Sequence, residues 1–252
     1  MIKLISTNHK YNNLKVPLIL FCLLIFVNSG TVLQANGSVD SLNFHEIKST
    51  VPGPVVIITA GIHGNEIAGY KAAEILKNYQ IDKGTIYIFD RVNSDGIENN
   101  QRNFIDGNDL NRQFPGGEES QASRLAQKLF SFIEEKNPDL VIDLHESRKC
   151  ARLNKDFLGQ TIITESNLII EVLNVIEKIN QLIPKEEYHF MPETNPVEGS
   201  LSWAANYYLE IPAFTFETCM NLDVEDRINY QVTLVKYLLQ EVGVELYDED
   251  RQ

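Results

Sequence analysis

His63 and Glu66 stand three positions apart in Gly61-Ile62-His63-Gly64-Asn65-Glu66, just after the apolar run of residues 54–60 and before a helix-like stretch over 67–76. At the end of a buried strand, both side chains can face one point just outside the sheet. Imidazole nitrogen and carboxylate oxygen are the ligands of catalytic Zn2+ sites, which keep one position open for water. A third ligand candidate, His145, closes a second apolar run in Leu140-Val141-Ile142-Asp143-Leu144-His145. Glu217 closes a third, Ala213-Phe214-Thr215-Phe216-Glu217. A carboxylate beside a metal can take a proton from water, whose pKa bound zinc lowers to about 7. Glu146, next to His145, is the reserve candidate for that base. In Asp109-Leu110-Asn111-Arg112 an amide adjoins a guanidinium, a pair suited to forked binding of a substrate carboxylate.

Each of these residues has a plainer reading. A lone His near a strand end is more often a hydrogen-bonded structural residue than a ligand. Asp109 and Asn111 suit a surface turn, and Glu217 suits a salt bridge. Three such groups ending three apolar runs are harder to explain separately, because ligands of open α/β sheets gather at the carboxyl ends of the strands. His9, His45 and His189 have no comparable neighbourhood.

The elements that must position these groups alternate along the chain. Strands are expected at roughly 44–48, 54–60, 84–90, 138–145, 161–164 and 213–218 from their apolar character. Ala122, Leu125, Ala126, Leu129, Phe130 and Ile133 form one helical stripe, and Ile228, Val232, Val235, Leu239 and Val242 another, ended by Gly243. Residues 167–183 read as a well-buried helix, and residues 192–200 as a loop bordering the cleft. Alternation of this kind predicts one α/β domain, a mixed, mostly parallel sheet with helices on both faces. No linker or repeat divides it.

At these residues the chain resembles the zinc carboxypeptidase superfamily, and within it the succinylglutamate desuccinylase/aspartoacylase group. The matching pieces, in the family's order, are His63-Gly64-Asn65-Glu66, Asp109-Leu110-Asn111-Arg112, Asp143-Leu144-His145 and Phe216-Glu217-Thr218. The resemblance implies one Zn2+ per chain held by His63, Glu66 and His145, with Glu217 as general base and then acid. It implies Asn111 and Arg112 as the carboxylate clamp and Asp109 as the partner of the far nitrogen of His63. Arg102, ten residues before Arg112, matches the arginine that stabilises the oxyanion. The family carries a further carboxyl-terminal region shaping its pocket, whereas 35 residues follow Glu217 here.

Lys3, Lys10 and Lys15 precede the apolar run of residues 16–27, and no acid appears before Asp40. That pattern predicts a secretory signal peptide over residues 1–35, or an N-terminal anchor, ahead of a catalytic domain at 36–252. The run is shorter than the roughly 20 residues of a membrane-spanning helix. Loss of the leader removes three lysines and no acid, taking the net charge from −13 to −16. So acidic a protein does not track nucleic acid or anionic lipid by charge. Cys150 and Cys219 remain, and outside the cytoplasm they form either a disulfide or two buried thiols.

The expected activity is zinc-dependent hydrolysis of an amide or ester in a small substrate or peptide bearing a free carboxylate. The alternatives are an extracytoplasmic carboxypeptidase acting on peptides or cell-wall stems, and a non-catalytic zinc-binding module.

Overall fold

Strands buried on both faces read as near-continuous apolar runs, and three of the runs above become such strands. They are β3 (Val55–Ala60), β6 (Leu140–Ser147) and β9 (Ala213–Cys219). This computed structural model describes residues 32–39, 42–165, 167 and 169–248. Parallel pairing joins β5 (Thr85–Phe89) to β3, β3 to β6, and β6 to β9. The flanks are β1 (Val32–Val39) and β2 (Leu42–Ser49) on one side, and β7 (Thr161–Thr164) and β8 (Met191–Thr194) on the other. The order is β1-β2-β5-β3-β6-β9-β7-β8, with β1–β2, β2–β5 and β7–β9 antiparallel. Separately, β4 (Tyr79–Ile81) pairs with β10 (Leu246–Asp248).

Register sorts the side chains onto two faces. Ile58, Ile142 and Phe214 align on one face and join the core under α1 (Ile67–Leu76), α4 (Ile169–Asn180) and α6 (Val224–Glu241). Ile57, Val141 and Ala213 align on the other, under α3 (Gln121–Lys136) and α5 (Leu201–Leu209). On this second face the rows turn polar toward the strand ends. The next row is Thr59, Asp143 and Thr215, and beyond it His145 is paired with Glu217.

The helix boundaries follow local chemistry. The Ser120 hydroxyl accepts the Ser123 N–H at 2.9 Å to start α3, and Asn137 ends it with a left-handed φ of 43°. Gly243, at φ 77°, stops the chain beyond α6 as expected.

Three differences from the sequence reading stand out. The stretch 192–200 is not all loop: β8 takes its first residues, and Pro192 is tolerated there because β8 is an edge strand. The short α5, capped by the Ser200 hydroxyl, carries no clear stripe. The expected leader boundary at residue 35 falls inside β1; residues 1–31 of that leader, with His9, lie outside the described residues.

Candidate active site

Two glycines let the first two ligand candidates reach their places. A Cβ on Gly64 would sit 2.0 Å from the backbone of Gly96, in α2 (Ser94–Glu98), so only glycine passes there. Gly69, in the first turns of α1, lies against the Leu144 carbonyl, which a Cβ would approach to 2.7 Å. The helix therefore starts immediately after Glu66, close upon β6, and β6 delivers His145 beside it.

The three donors converge. Ligand atoms of His63, Glu66 and His145 all lie within 4.8 Å of one another, and all three residues are buried. Nδ1 of His63 is 2.8 Å from Glu66 Oε1, Nδ1 of His145 is 2.8 Å from Glu66 Oε2, and the two Nδ1 atoms are 3.1 Å apart. Both outer nitrogens face carboxylates: Nε2 of His63 lies 2.9 Å from Asp109 Oδ1, and Nε2 of His145 lies 2.8 Å from Asp143 Oδ2. A proton donated outward from each Nε2 leaves two Nδ1 lone pairs aimed at each other and at a carboxylate. Only a cation between them, or extra protons, relieves that arrangement. Outward carboxylates are also the usual partners of metal-bound imidazoles, so the donor set fits a zinc-type metal.

Charge at this cluster is strongly coupled. Burial works against the cationic forms of His63 and His145. The Glu66 carboxylate and Asp109 outweigh it at His63, and Asp143 and Glu66 outweigh it at His145, so both rings are pushed above their ordinary value. Glu66 is held far below the carboxylate range: burial opposes this, and the two imidazoles prevail. Asp109 is held down in the same way by His63 and, beyond it, Arg102 and Arg112.

Glu217 behaves in the opposite sense. Burial first, and the Glu66 charge second, raise its carboxyl to about 7, against the opposing pull of His145, His63 and Arg102. Its Oε2 is shielded from solvent and has no hydrogen-bond partner among the described residues. A carboxyl that titrates near neutrality can both take and return a proton. Glu146 is also raised, chiefly by burial. Its oxygens are occupied, Oε2 by the Ala68 N–H at 2.8 Å and Oε1 by the Arg227 guanidinium. It is a brace between α1, β6 and α6 more than a free base.

A cleft of about 290 Å³ opens over these groups, and His63, Arg102, Asn111, Arg112, Glu146 and Glu217 all line it. Arg102 donates to Glu66 Oε1 at 2.9 Å and to Asp109 Oδ2 at 3.4 Å. The Asn111 amide oxygen accepts the Leu201 N–H at 3.0 Å, and its Nδ2 lies 3.4 Å from His145 Nε2. Arg112, exposed, donates to the Asn111 carbonyl at 2.7 Å and makes no ion pair among the described residues. Cys150 and Cys219 form a disulfide, resolving the choice the sequence left open.

Several contributors were not singled out from sequence. Asp143 is fully buried, accepts the Thr59 hydroxyl at 2.7 Å and orients His145. Gln231, from α6, donates to the His145 carbonyl at 2.8 Å and to Thr218 Oγ1 at 3.0 Å. An acid two residues before a strand-end His, on the same sheet face, is the signal that marks Asp143. Nothing local marks Arg227 or Gln231.

Comparison with known proteins follows the same lines. Residues 52–155 match the family model described as succinylglutamate desuccinylase/aspartoacylase catalytic domain. The N-alpha-acetyl-L-2,4-diaminobutyric acid deacetylase of Halomonas elongata is 29% identical over 97 residues, which is 37% of this chain and 28% of that protein. A stretch of 108 residues is 30% identical to elongation factor P of Brucella abortus, covering 42% of this chain and 58% of that one. In three dimensions, the Gln46His variant of the cell shape determinant Csd4 from Helicobacter pylori superposes with a TM-score of 0.74 at 22% identity, covering 82% of this chain and 56% of its own. A succinylglutamate desuccinylase/aspartoacylase from Rhodobacter sphaeroides gives 0.63 at 18% identity, covering 89% and 69%. The chain thus spans little more than a quarter of the deacetylase and just over half of Csd4. At these identities the structural likeness shows the fold alone, a mostly parallel α/β sheet covered by helices that the chain shares with these proteins.

Proposed function

We propose that this chain, whose residues 52–155 match the succinylglutamate desuccinylase/aspartoacylase catalytic domain and whose fold resembles that of Csd4, is a metal-dependent hydrolase. It cleaves an amide bond in a substrate bearing a free carboxylate. The observation that carries this reading is the convergence of three inward donors with Glu217, whose Oε2 is shielded and has no partner among the described residues. His63, Glu66 and His145 would hold one Zn2+, which supplies Lewis acidity and brings the pKa of water down to about 7.

The residues of the chain do the rest. Glu217, raised to about 7, accepts the proton of the attacking water and returns it to the leaving nitrogen. Arg102, half-exposed at the cleft, turns a guanidinium toward negative charge that develops on the carbonyl oxygen. Arg112, which makes no ion pair among the described residues, pairs with the substrate carboxylate, and Asn111 lines the same cleft. Asp143 and Asp109 hold the imidazoles in the orientation that leaves Nδ1 facing inward.

A secreted setting accompanies this reading. The leader pattern motivates it, and a disulfide between Cys150 and Cys219 supports an oxidising compartment. In the second reading the same residues act on a peptide carboxyl terminus, a reading supported by the likeness to Csd4 of Helicobacter pylori, described as a D,L-carboxypeptidase. The zinc-loaded protein should be assayed in parallel against N-acyl amino acids and peptides ending in the same residue. Release of the amino acid from the acyl series alone supports the deacylase, and release from peptides alone supports the carboxypeptidase. No hydrolysis of either, at full zinc content, contradicts both.

A further inference from the structure

The cleft lining comes from two groups of segments. One carries Asn111, Arg112 and Ser200, with Pro196 and Val197 just before Ser200, and these segments are tied together by bonds from the Phe114 N–H to the Gly199 carbonyl at 3.0 Å and from the Leu201 N–H to Asn111. The other is built from the carboxyl ends of β6 and β9 and the loop after β6. It presents Phe157, Leu158 and Met220, with Ile163 of β7 beside them. Ile163 is buried, and the other three are half-buried.

This apolar surface is fixed by the protein itself. The Leu158 N–H donates to Ser147 Oγ at 3.1 Å, the Met220 N–H to the Ser147 carbonyl at 2.9 Å, and the Gly159 N–H to the Lys149 carbonyl at 3.0 Å. The Cys150–Cys219 disulfide joins the two chain segments behind it. A preformed apolar surface inside a catalytic cleft is favourable to cover, and an apolar group of the ligand is what covers it. Arg148 also borders the cleft, but it is exposed, with its charge in solvent.

We propose that Phe157, Leu158, Ile163 and Met220 form an acyl subsite for an aliphatic or aromatic acyl group longer than acetyl, in the same cleft as the carboxylate held by Arg112. The inference rests on the reading above for the position of the scissile amide over Glu217. The cleft volume of about 290 Å³ equals roughly ten liquid-water volumes, room for an amino acid with a medium-length acyl chain. An acid-tipped acyl group such as succinyl would instead place a carboxylate against apolar carbon.

The test is calorimetric titration of zinc-loaded Glu217→Gln protein with N-acetyl-, N-butanoyl- and N-succinylglycine, together with butyric and succinic acids titrated into wild type. Affinity should rise about fourfold per added methylene, so that butanoyl exceeds acetyl by more than about tenfold, and succinyl should bind no tighter than acetyl. Leu158→Ser and Met220→Ser should each shrink the butanoyl-to-acetyl ratio. Tighter binding of the succinyl compound, no dependence on chain length, or no binding by any of the series overturns the subsite. Chain-length-dependent binding with no hydrolysis by wild type keeps the subsite and removes the deacylase reading instead.

Discussion

His145 and Glu217 are register partners across the parallel pair β6–β9, so their side chains leave the same face of the sheet from adjacent strands. Neighbouring strands lie about 4.8 Å apart, and the ligand candidate and the base candidate are therefore spaced by backbone hydrogen bonds, not by a loop. Thr59, Asp143 and Thr215 fill the row beneath them. The sheet itself is the frame of the site.

That frame predicts an unusual pH response of the metal-free protein. His63 and His145 titrate above 6.5 in the fold, so the stability they confer is complete below 6.5 and is lost as pH rises through their folded values. Glu217, raised from 4.5 to about 7, favours the fold while protonated, and that contribution disappears between those two values as pH rises. Both signs agree. In chelator, Tm should fall from pH 5.5 to 8.5, and the increment given by zinc should grow over the same range. A zinc increment that shrinks with rising pH contradicts the assignment of these groups.

Proton release gives a second view of the same coupling. Imidazoles that hold protons in the metal-free fold must give them up to a metal. Zinc titration at pH 7 in buffers of different ionisation enthalpy should therefore report net proton release on zinc binding. Zero release would mean that zinc binds somewhere else.

Asp143 is the strongest test of the surroundings of the ligands. Asp143→Asn keeps the shape but weakens the hold on Nε2 of His145. Zinc affinity, measured by competition with a chromogenic chelator, should fall by about 10- to 100-fold. Unchanged affinity would make Asp143 a packing residue alone.

Much of this site was legible in the sequence because its parts end apolar runs. The apolar runs at 54–60, 140–145 and 213–217 became β3, β6 and β9, the helical stripe at 122–133 fell within α3, and that at 228–242 lies in α6 up to Leu239, with Val242 as its C-cap. What was not legible has physical reasons. β8 begins with a Met-Pro pair that only an edge position permits. Arg227 and Gln231 reach back to Glu146 and His145 over more than 80 residues, and local pattern carries no trace of that contact. Glu146, the reserve candidate for the base, has its oxygens held by Ala68 and Arg227, a contact that the sequence does not mark.

Arg112 tests what the cleft recognises. A guanidinium lining the cleft with no ion pair among the described residues should fork a substrate carboxylate, and lysine keeps the charge without the fork. Arg112→Lys should lower kcat/KM by about 10- to 100-fold, about 1.4–2.7 kcal/mol. Amidation of the substrate carboxylate should cost wild type at least as much and the variant little. Equal cleavage of acid and amide by wild type would make Arg112 structural.

The central claim is that a metal held by His63, Glu66 and His145 works with Glu217 as the proton carrier. Its most direct measurement is turnover of Glu217→Gln at matched zinc content. The amide has nearly the same shape as the carboxyl it replaces but cannot accept the proton, so zinc per chain should stay at wild-type level while kcat falls by about 10²–10⁴-fold. Equal zinc with kcat within a few-fold of wild type would contradict the account.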